Sequence, residues 1–176
     1  MSYNVPRIED VIDSLSGSGY FHTIDMIRGY WQIKMNVEDG SDLKTAFSTK
    51  EGTFIFKRMP FGVVNGVQEF QLLMDKVFSD LKDRLAVYLD DLTAHGATAN
   101  IANMALKETL KRLREINMTI QIAKGSVLYE KRKWFGFLIS KNGTEIDPTK
   151  TEAIIKMSPP NTLKKLRSFL GSIAFY

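Results

Sequence analysis

The sequence predicts an α+β fold built on a largely antiparallel sheet, and three observations predict it. Helical and strand-like stretches come in groups, in the order helix, strands, helix, hairpin, helix, strands, helices, rather than in strict alternation. Several of the strand-like runs are separated by turn-forming stretches too short to hold a crossover helix, so the strands they join are antiparallel. The chain of 176 residues is 44% apolar and 25% charged, the balance of a globular protein with one sizeable core or a core and part of a second lobe.

The elements follow in order. Pro6 through Leu15 reads as a short amphipathic helix, opened by Pro6 and ended by Ser16-Gly17-Ser18-Gly19. Tyr20 to Asp25 reads as a strand, and Tyr30-Trp31-Gln32-Ile33-Lys34-Met35 alternates large apolar with polar residues, which predicts a second strand with one wet face. Lys44–Ser48 and Thr53–Arg58 flank the turn-forming Lys50-Glu51-Gly52 and form a hairpin. Met59-Pro60-Phe61-Gly62 breaks the sheet. Val67 to Leu81 has helical spacing in Phe70, Leu73, Met74, Val77, Phe78 and Leu81.

Val87 to Thr93 predicts a buried hairpin whose tight turn carries Asp90 and Asp91. Ala99 to Asn117 is an amphipathic helix. Thr119–Ile122, Ser126–Tyr129 and Lys133–Ile139 read as short strands, and Asn142-Gly143 precedes Thr144-Glu145-Ile146. Asp147-Pro148 opens a helix through Met157, and Pro159-Pro160-Asn161-Thr162 caps a final helix from Leu163 to Tyr176. A shift in composition near Asp147 marks a small second lobe, giving units 1–146 and 147–176.

Composition excludes several classes of function. Without cysteine the chain forms no disulfide and no thiolate–zinc site. No apolar run approaches the roughly 18 residues of a membrane span, and residues 1–10 lack a signal peptide's apolar stretch. The net charge is +4, yet Lys124 to Arg167 holds ten Lys or Arg against four Asp or Glu, so the remainder is mildly acidic. A basic C-terminal third fits a polyanionic partner, and equally a solvated lysine-rich face.

The chemistry gathers on three carboxylates. Asp90 and Asp91 are adjacent, and each resists ionising beside the other unless a cation offsets the charge. Mg²⁺, which takes carboxylate and phosphate oxygens, is such a cation. Asp is also simply a favoured turn residue. Asp25 ends a strand and leads into a turn, a placement suited to a metal ion and to phosphates, or to a loop-capping carboxylate. If that strand lies beside the Asp90-Asp91 hairpin, the three carboxylates converge, a set able to hold two Mg²⁺ ions roughly 4 Å apart.

Asp25 with Tyr30 five residues on, Met59-Pro60-Phe61-Gly62, Phe70-Gln71, Tyr88-Leu89-Asp90-Asp91, Trp134-Phe135-Gly136-Phe137-Leu138-Ile139-Ser140 and Leu166-Arg167-Ser168-Phe169-Leu170-Gly171 occur in this order. Together they resemble the reverse transcriptases of Ty3/gypsy-type long-terminal-repeat retrotransposons, over nearly the whole chain. The resemblance implies a polymerase palm, a ferredoxin-like antiparallel sheet with packed helices, with partial fingers in 1–146 and a truncated helical thumb in 147–176. It implies RNA-directed DNA polymerase activity, a nucleotidyl transfer that adds deoxynucleotides to a primer 3′-end. Asp25, Asp90 and Asp91 look like the triad that holds two Mg²⁺, or Mn²⁺ in their place.

Tyr30 matches the aromatic that rejects a ribose 2′-hydroxyl, and is otherwise a core aromatic. Phe61 and Gly62 match the loop beside the incoming nucleotide. Gln71 resembles a residue packed near the template, and otherwise faces solvent. Phe135 and Gly136 look like the hairpin that grips the primer end. Lys164, Lys165 and Arg167 match thumb residues that contact duplex phosphates without reading sequence.

The implied partners are an RNA or DNA template with its primer, deoxynucleoside triphosphates, and the rest of a Pol polyprotein (upstream fingers, connection, RNase H and integrase). The implied location is inside the cell, in cytoplasm, virus-like particle or nucleus, and no membrane is implied. The chain departs from the family at Val63-Val64-Asn65-Gly66-Val67, where a threonine and a proline are expected, and at Lys124-Gly125, where Lys-Cys is usual. The resemblance also implies that the chain starts after the fingers strands that hold the triphosphate and stops within the thumb. Beside the enzyme stand two other readings: a non-catalytic remnant or domesticated fragment that only binds nucleic acid, and an unrelated α+β binding domain.

Overall fold

The computed structural model describes residues 3–174. Its centre is a four-stranded sheet in the order β4-β5-β1-β6, formed by β1 (Tyr20–Asp25), β4 (Leu85–Tyr88), β5 (Asp91–Gly96) and β6 (Ser126–Tyr129). Every pairing in it is antiparallel. Helix α3 (Gly66–Val77) lies between β1 and β4 in the chain, and α4 (Ala99–Glu115) between β5 and β6. That is the split β-α-β-β-α-β arrangement expected of a ferredoxin-like palm.

Alternation along the strands divides the core in two. On one face Ile24, Leu85, Leu92 and Ala94 meet Phe70 and Met74 of α3 and Ala105 and Leu113 of α4. On the other, Phe21 and Ala86 meet Val11 and Ile12 of α1 (Ile8–Ser14), together with Leu15, Trp134 and Ile139. The last two belong to a second sheet, β7-β8-β9, built from Lys131–Trp134, Phe137–Ser140 and Gly143–Ile146. Residues 26–65, between β1 and α3, carry the separate hairpin of β2 (Phe47–Thr49) and β3 (Gly52–Phe54).

Several expectations are met and several are corrected. The Asp-bearing hairpin, α4 and a hairpin across Lys50-Glu51-Gly52 form, the last shorter than the expected Lys44–Ser48 and Thr53–Arg58, because Leu43–Thr45 is a 3₁₀ turn and only Phe47–Thr49 and Gly52–Phe54 pair. Tyr30–Met35 is not one strand: Gly29–Gln32 makes a single helical turn, α2, entered through Arg28 at φ +49°. Only the end of that segment is extended, where Lys34 bridges Arg58. The amide of Gln32 ties the turn down, donating to the carbonyls of Ile27 (2.6 Å) and Thr119 (3.0 Å) while accepting from the Thr119 N–H (2.7 Å).

Thr119–Ile122 contributes one bridge, Ile120 to Met26, and then turns into a short 3₁₀ segment from Ile122 to Lys124. Lys133–Ile139 is two strands around Phe135-Gly136, because both residues take left-handed conformations (φ +46° and +84°) and reverse the chain. Helix α3 stops at Val77 rather than Leu81. The last two helices are α5 (Pro148–Ile155), capped by the Asp147 carboxylate on the Thr149 N–H, and α6 (Leu163–Ala174), capped by the Thr162 hydroxyl on the Lys165 N–H. The final two positions predicted for α6 lie outside the described residues.

Candidate active site

The antiparallel register of β1 and β5 ends on the pair Asp25 and Asp91, directly opposite and on the same face of the sheet. Tyr88 pairs with Asp91, so the β4–β5 loop is the two residues Leu89 and Asp90. The predicted turn is therefore displaced by one: Asp90 is in it and Asp91 opens β5. All three carboxylates line one open pocket of about 270 Å³ with Thr23, Ile24, Lys124 and Arg132. The sequence-predicted triad is brought together.

Leu89 sits at φ +55°, a conformation in which an L side chain crowds its own backbone. Gln71 holds it there. Its side chain is fully buried on α3, where Oε1 accepts from the Leu89 N–H (2.8 Å) and Nε2 donates to the Val87 carbonyl (3.4 Å) and to Asp75 (3.1 Å). Tyr3 donates to the other oxygen of Asp75, and that bond pushes the phenol up to about 12. Gln71 is thus not a solvent-facing residue. It positions the Asp hairpin from behind.

Gly29 serves the same end from α2. A Cβ there would lie 3.0 Å from the Phe70 ring and 3.3 Å from the Asp90 Cβ, so only glycine lets the turn approach so closely. Tyr30 follows, its ring 5.2 Å from Phe70 and 5.4 Å from Phe61. Burial, and then the nearby Asp90 carboxylate and Tyr88, push the pKa of the Tyr30 phenol up, so it stays protonated. Phe61 is two-thirds exposed, and Gly62 beside it holds φ +88°. Both line a wider cleft of about 770 Å³ that runs along residues 33–45 and 56–69.

Asp91 is not free. Nη2 of Arg132 donates to both of its oxygens at 2.8 Å, and the indole Nε1 of Trp134 donates to Oδ2 at 2.7 Å. Burial pushes the Asp91 carboxyl up, an effect opposed by Arg132 and Trp134 and reinforced by Asp90. Asp25 and Asp90 have no hydrogen bond or ion pair to a side chain among the described residues. Their donor set fits a hard cation such as Mg²⁺, whereas three contacts from Arg132 and Trp134 already occupy most of the acceptor sites of Asp91. Among the described residues no group of three or more carboxylate or imidazole side chains is placed to hold a metal ion.

Phe135 and Gly136 form the β7–β8 turn, and Phe135 packs 5.0 Å from Tyr88, two residues before Asp90. That turn is therefore brought to the site. Lys164, Lys165 and Arg167 are exposed on α6 and are not brought to it. Sequence reasoning missed Arg132, Lys124 and Gly29. Period two in Lys131–Trp134 was the available signal for Arg132, since it puts Arg132 on the face of the buried Trp134, and an inward cation needs a partner.

Residues 1–171 match the family model described as "Reverse transcriptase (RNA-dependent DNA polymerase)". The chain is 32% identical over 176 residues to the retrovirus-related Pol polyprotein from transposon opus of Drosophila melanogaster, covering 99% of this chain and 17% of that protein. It is 33% identical over 175 residues to the corresponding polyprotein from transposon gypsy of the same fly, with the same coverage. With the transposon Tf2-3 polyprotein of Schizosaccharomyces pombe it shares 28% over 174 residues, 98% of this chain and 13% of that one.

The fold superposes on the foamy viral protease-reverse transcriptase in complex with double-stranded DNA with a TM-score of 0.86 at 23% identity, over 99% of this chain and 36% of that one. For the same enzyme with an RNA/DNA hybrid the TM-score is 0.84 at 23% identity, over 99% and 24%. The chain thus spans about a sixth of the fly polyproteins it matches. With the palm sheet, the motif order and the converging aspartates agreeing, this chain belongs to the reverse transcriptase family, and the Ty3/gypsy resemblance read from its motifs is borne out.

Proposed function

We propose that this chain is the palm, with part of the fingers (1–146) and the start of a thumb (147–176), of an RNA-directed DNA polymerase from a retrotransposon Pol polyprotein. The observation that carries the proposal is the in-register pairing of Asp25 with Asp91, with Asp90 in the adjoining two-residue loop, at one open pocket. Asp25 and Asp90 would hold Mg²⁺ or Mn²⁺. Bound there, a divalent ion supplies Lewis-acid stabilisation of phosphoryl oxygens and acidifies a primer 3′-hydroxyl.

The remaining roles fall to the chain itself. Tyr30, backed by Phe70 and touching Phe61, forms a wall against which a deoxyribose fits and a 2′-hydroxyl does not. Gly62 leaves its backbone open to an incoming deoxynucleoside triphosphate. The Phe135-Gly136 turn, leaning on Tyr88, steadies a primer end. Lys164, Lys165 and Arg167 add salt-dependent phosphate contacts to a template–primer duplex. The rest of the polyprotein would contribute the upstream fingers, connection, RNase H and integrase, and the reaction would run in the cytoplasm, a virus-like particle or the nucleus. No helix among the described residues is long and apolar enough to cross a membrane.

The test is primer extension on an RNA template with Mg²⁺ and deoxynucleotides, with Asp90→Asn alongside. Extension by the wild type and none by the variant is the expected result. One observation favours a second reading, a fragment that only binds nucleic acid: the Arg132 clamp on Asp91. Salt-sensitive duplex binding without extension, indifferent to Asp90→Asn, would select it.

A further inference from the structure

The pocket that gathers three carboxylates also contains two cations, Lys124 and Arg132, which leaves one negative charge in excess. The cations are not equivalent. Arg132 comes from β7, on a different sheet, and reaches 41 residues back along the chain to engage Asp91. Its side chain is only 17% exposed, and it lies 5.8 Å from the Trp134 ring centre. Its Nε is buried with no partner, so the guanidinium is held there by Asp91 and by packing rather than by a network of its own. Three N–H donors from Arg132 and Trp134 converge on the two Asp91 oxygens.

We infer that Arg132 is the resident counter-cation of Asp91, competing with divalent ions for it, so that the chain takes one divalent ion at Asp25 and Asp90 rather than two. The inference deepens the polymerase reading and rests on it. A guanidinium and a divalent ion both satisfy a carboxylate, but they cannot use the same lone pairs together. The charge that Arg132 brings also opposes a cation at the neighbouring carboxylates. Removing Arg132 therefore exposes a carboxylate whose only remaining side-chain donor is an indole N–H. Such a half-buried charge is a strong attractor for a cation.

The experiment is titration with Mn²⁺ alone, followed by the paramagnetic resonance of the free ion, which reads stoichiometry and affinity without any catalysis. The wild type should bind one ion, and Asp90→Asn should abolish that binding. Arg132→Met should bind a second ion or hold Mn²⁺ about tenfold more tightly, the scale expected when one adjacent charge is removed. Its melting temperature should also rise with added Mn²⁺ more than the wild type's does. Arg132→Lys, which keeps the charge on a shorter, non-planar head that reaches Asp91 less well than Nη2 does, should fall between.

Should Arg132→Met fail to fold, the double variant Asp91→Asn with Arg132→Met removes the pair as a unit and decides the matter. One-ion binding unchanged in that variant supports the inference, and its loss makes Asp91 a ligand and overturns it. Two ions on the wild type, or an unchanged or weaker affinity in folded Arg132→Met, also overturn it while leaving the metal reading standing. No Mn²⁺ on any form overturns both.

Discussion

In the β4–β5 hairpin, Leu85, Ala86 and everything from Leu92 to Gly96 are buried, and helices or strands cover both faces. In the β2–β3 hairpin all six paired residues are exposed, and a stack of Phe47 on Phe54 (5.8 Å), with Phe56 beside it, supplies the side-chain contact. The two share a topology and differ in what defines their shape. The first is specified by neighbours distant in sequence: Gln71 behind the loop, Arg132 and Trp134 in front of Asp91, Phe70 beneath Gly29 and Tyr30. The second is specified by its own turn and its own cross-strand rings. Chemistry that needs carboxylates held to a fraction of an ångström belongs on the first kind of hairpin.

The sharpest way to break the contrast is Phe70→Ala. Phe70 is fully buried between the sheet and α2, and truncation should cost about 3–5 kcal/mol in urea unfolding. It should also loosen Tyr30 and the Asp90 loop, read as lost Mn²⁺ binding in whatever fraction stays folded. Acid comes next. Burial lowers His95 on β5 to about 4 from 6.5, and lowers His22 on β1 as well. The unfolded chain then binds more protons between those values. The stabilisation is complete above about pH 6.5 and is lost as pH falls toward 4, on the order of 3 kcal/mol for His95. Unfolding free energies across that window, compared with His95→Asn, check the sign. The β2–β3 hairpin carries no histidine, so its amide exchange protection should not follow that titration.

Gln71→Leu keeps the apolar contact of α3 but leaves the Leu89 N–H buried without its acceptor, a loss of about 1–3 kcal/mol. Here the readout that separates positioning from mere stability is Mn²⁺ affinity, which should fall in folded protein. The smallest effect belongs to the exposed hairpin. Phe54→Ala should cost about 0.5–1 kcal/mol and leave Mn²⁺ binding untouched. A large effect on the site from Phe54→Ala would erase the distinction between the hairpins.

What was legible in the sequence divides along the same line. The β1 strand, the Asp hairpin and α4 carry local signatures: alternation, two adjacent carboxylates, a long amphipathic period. The approach of Asp25 to Asp90-Asp91 was legible only as a condition on strand pairing and through the resemblance of the motifs. Gly29–Gln32 carries no such signature, because alternation over four residues fits one helical turn as well as a strand. Arg132 sat within Lys131-Arg132-Lys133 and counted toward a basic surface, since a pairing across 41 residues leaves no trace in a local charge pattern. The solvent-facing alternative for Gln71 fails for the same reason. A polar side chain on a helix looks wet until the loop that needs it is in place.

The Asp25–Asp91 register ties the reactive end of β1 to its apolar middle by parity. Phe21 and Asp25 are four positions apart, so both project to the face covered by α1 and β7, while Ile24 between them projects to the helices. Removing one residue from that interval would drive either the carboxylate or the phenyl ring through to the opposite side. A one-residue change in this strand would have to be absorbed by a bulge, like the register shift with which β6 pairs to β1 between Phe21 and Thr23.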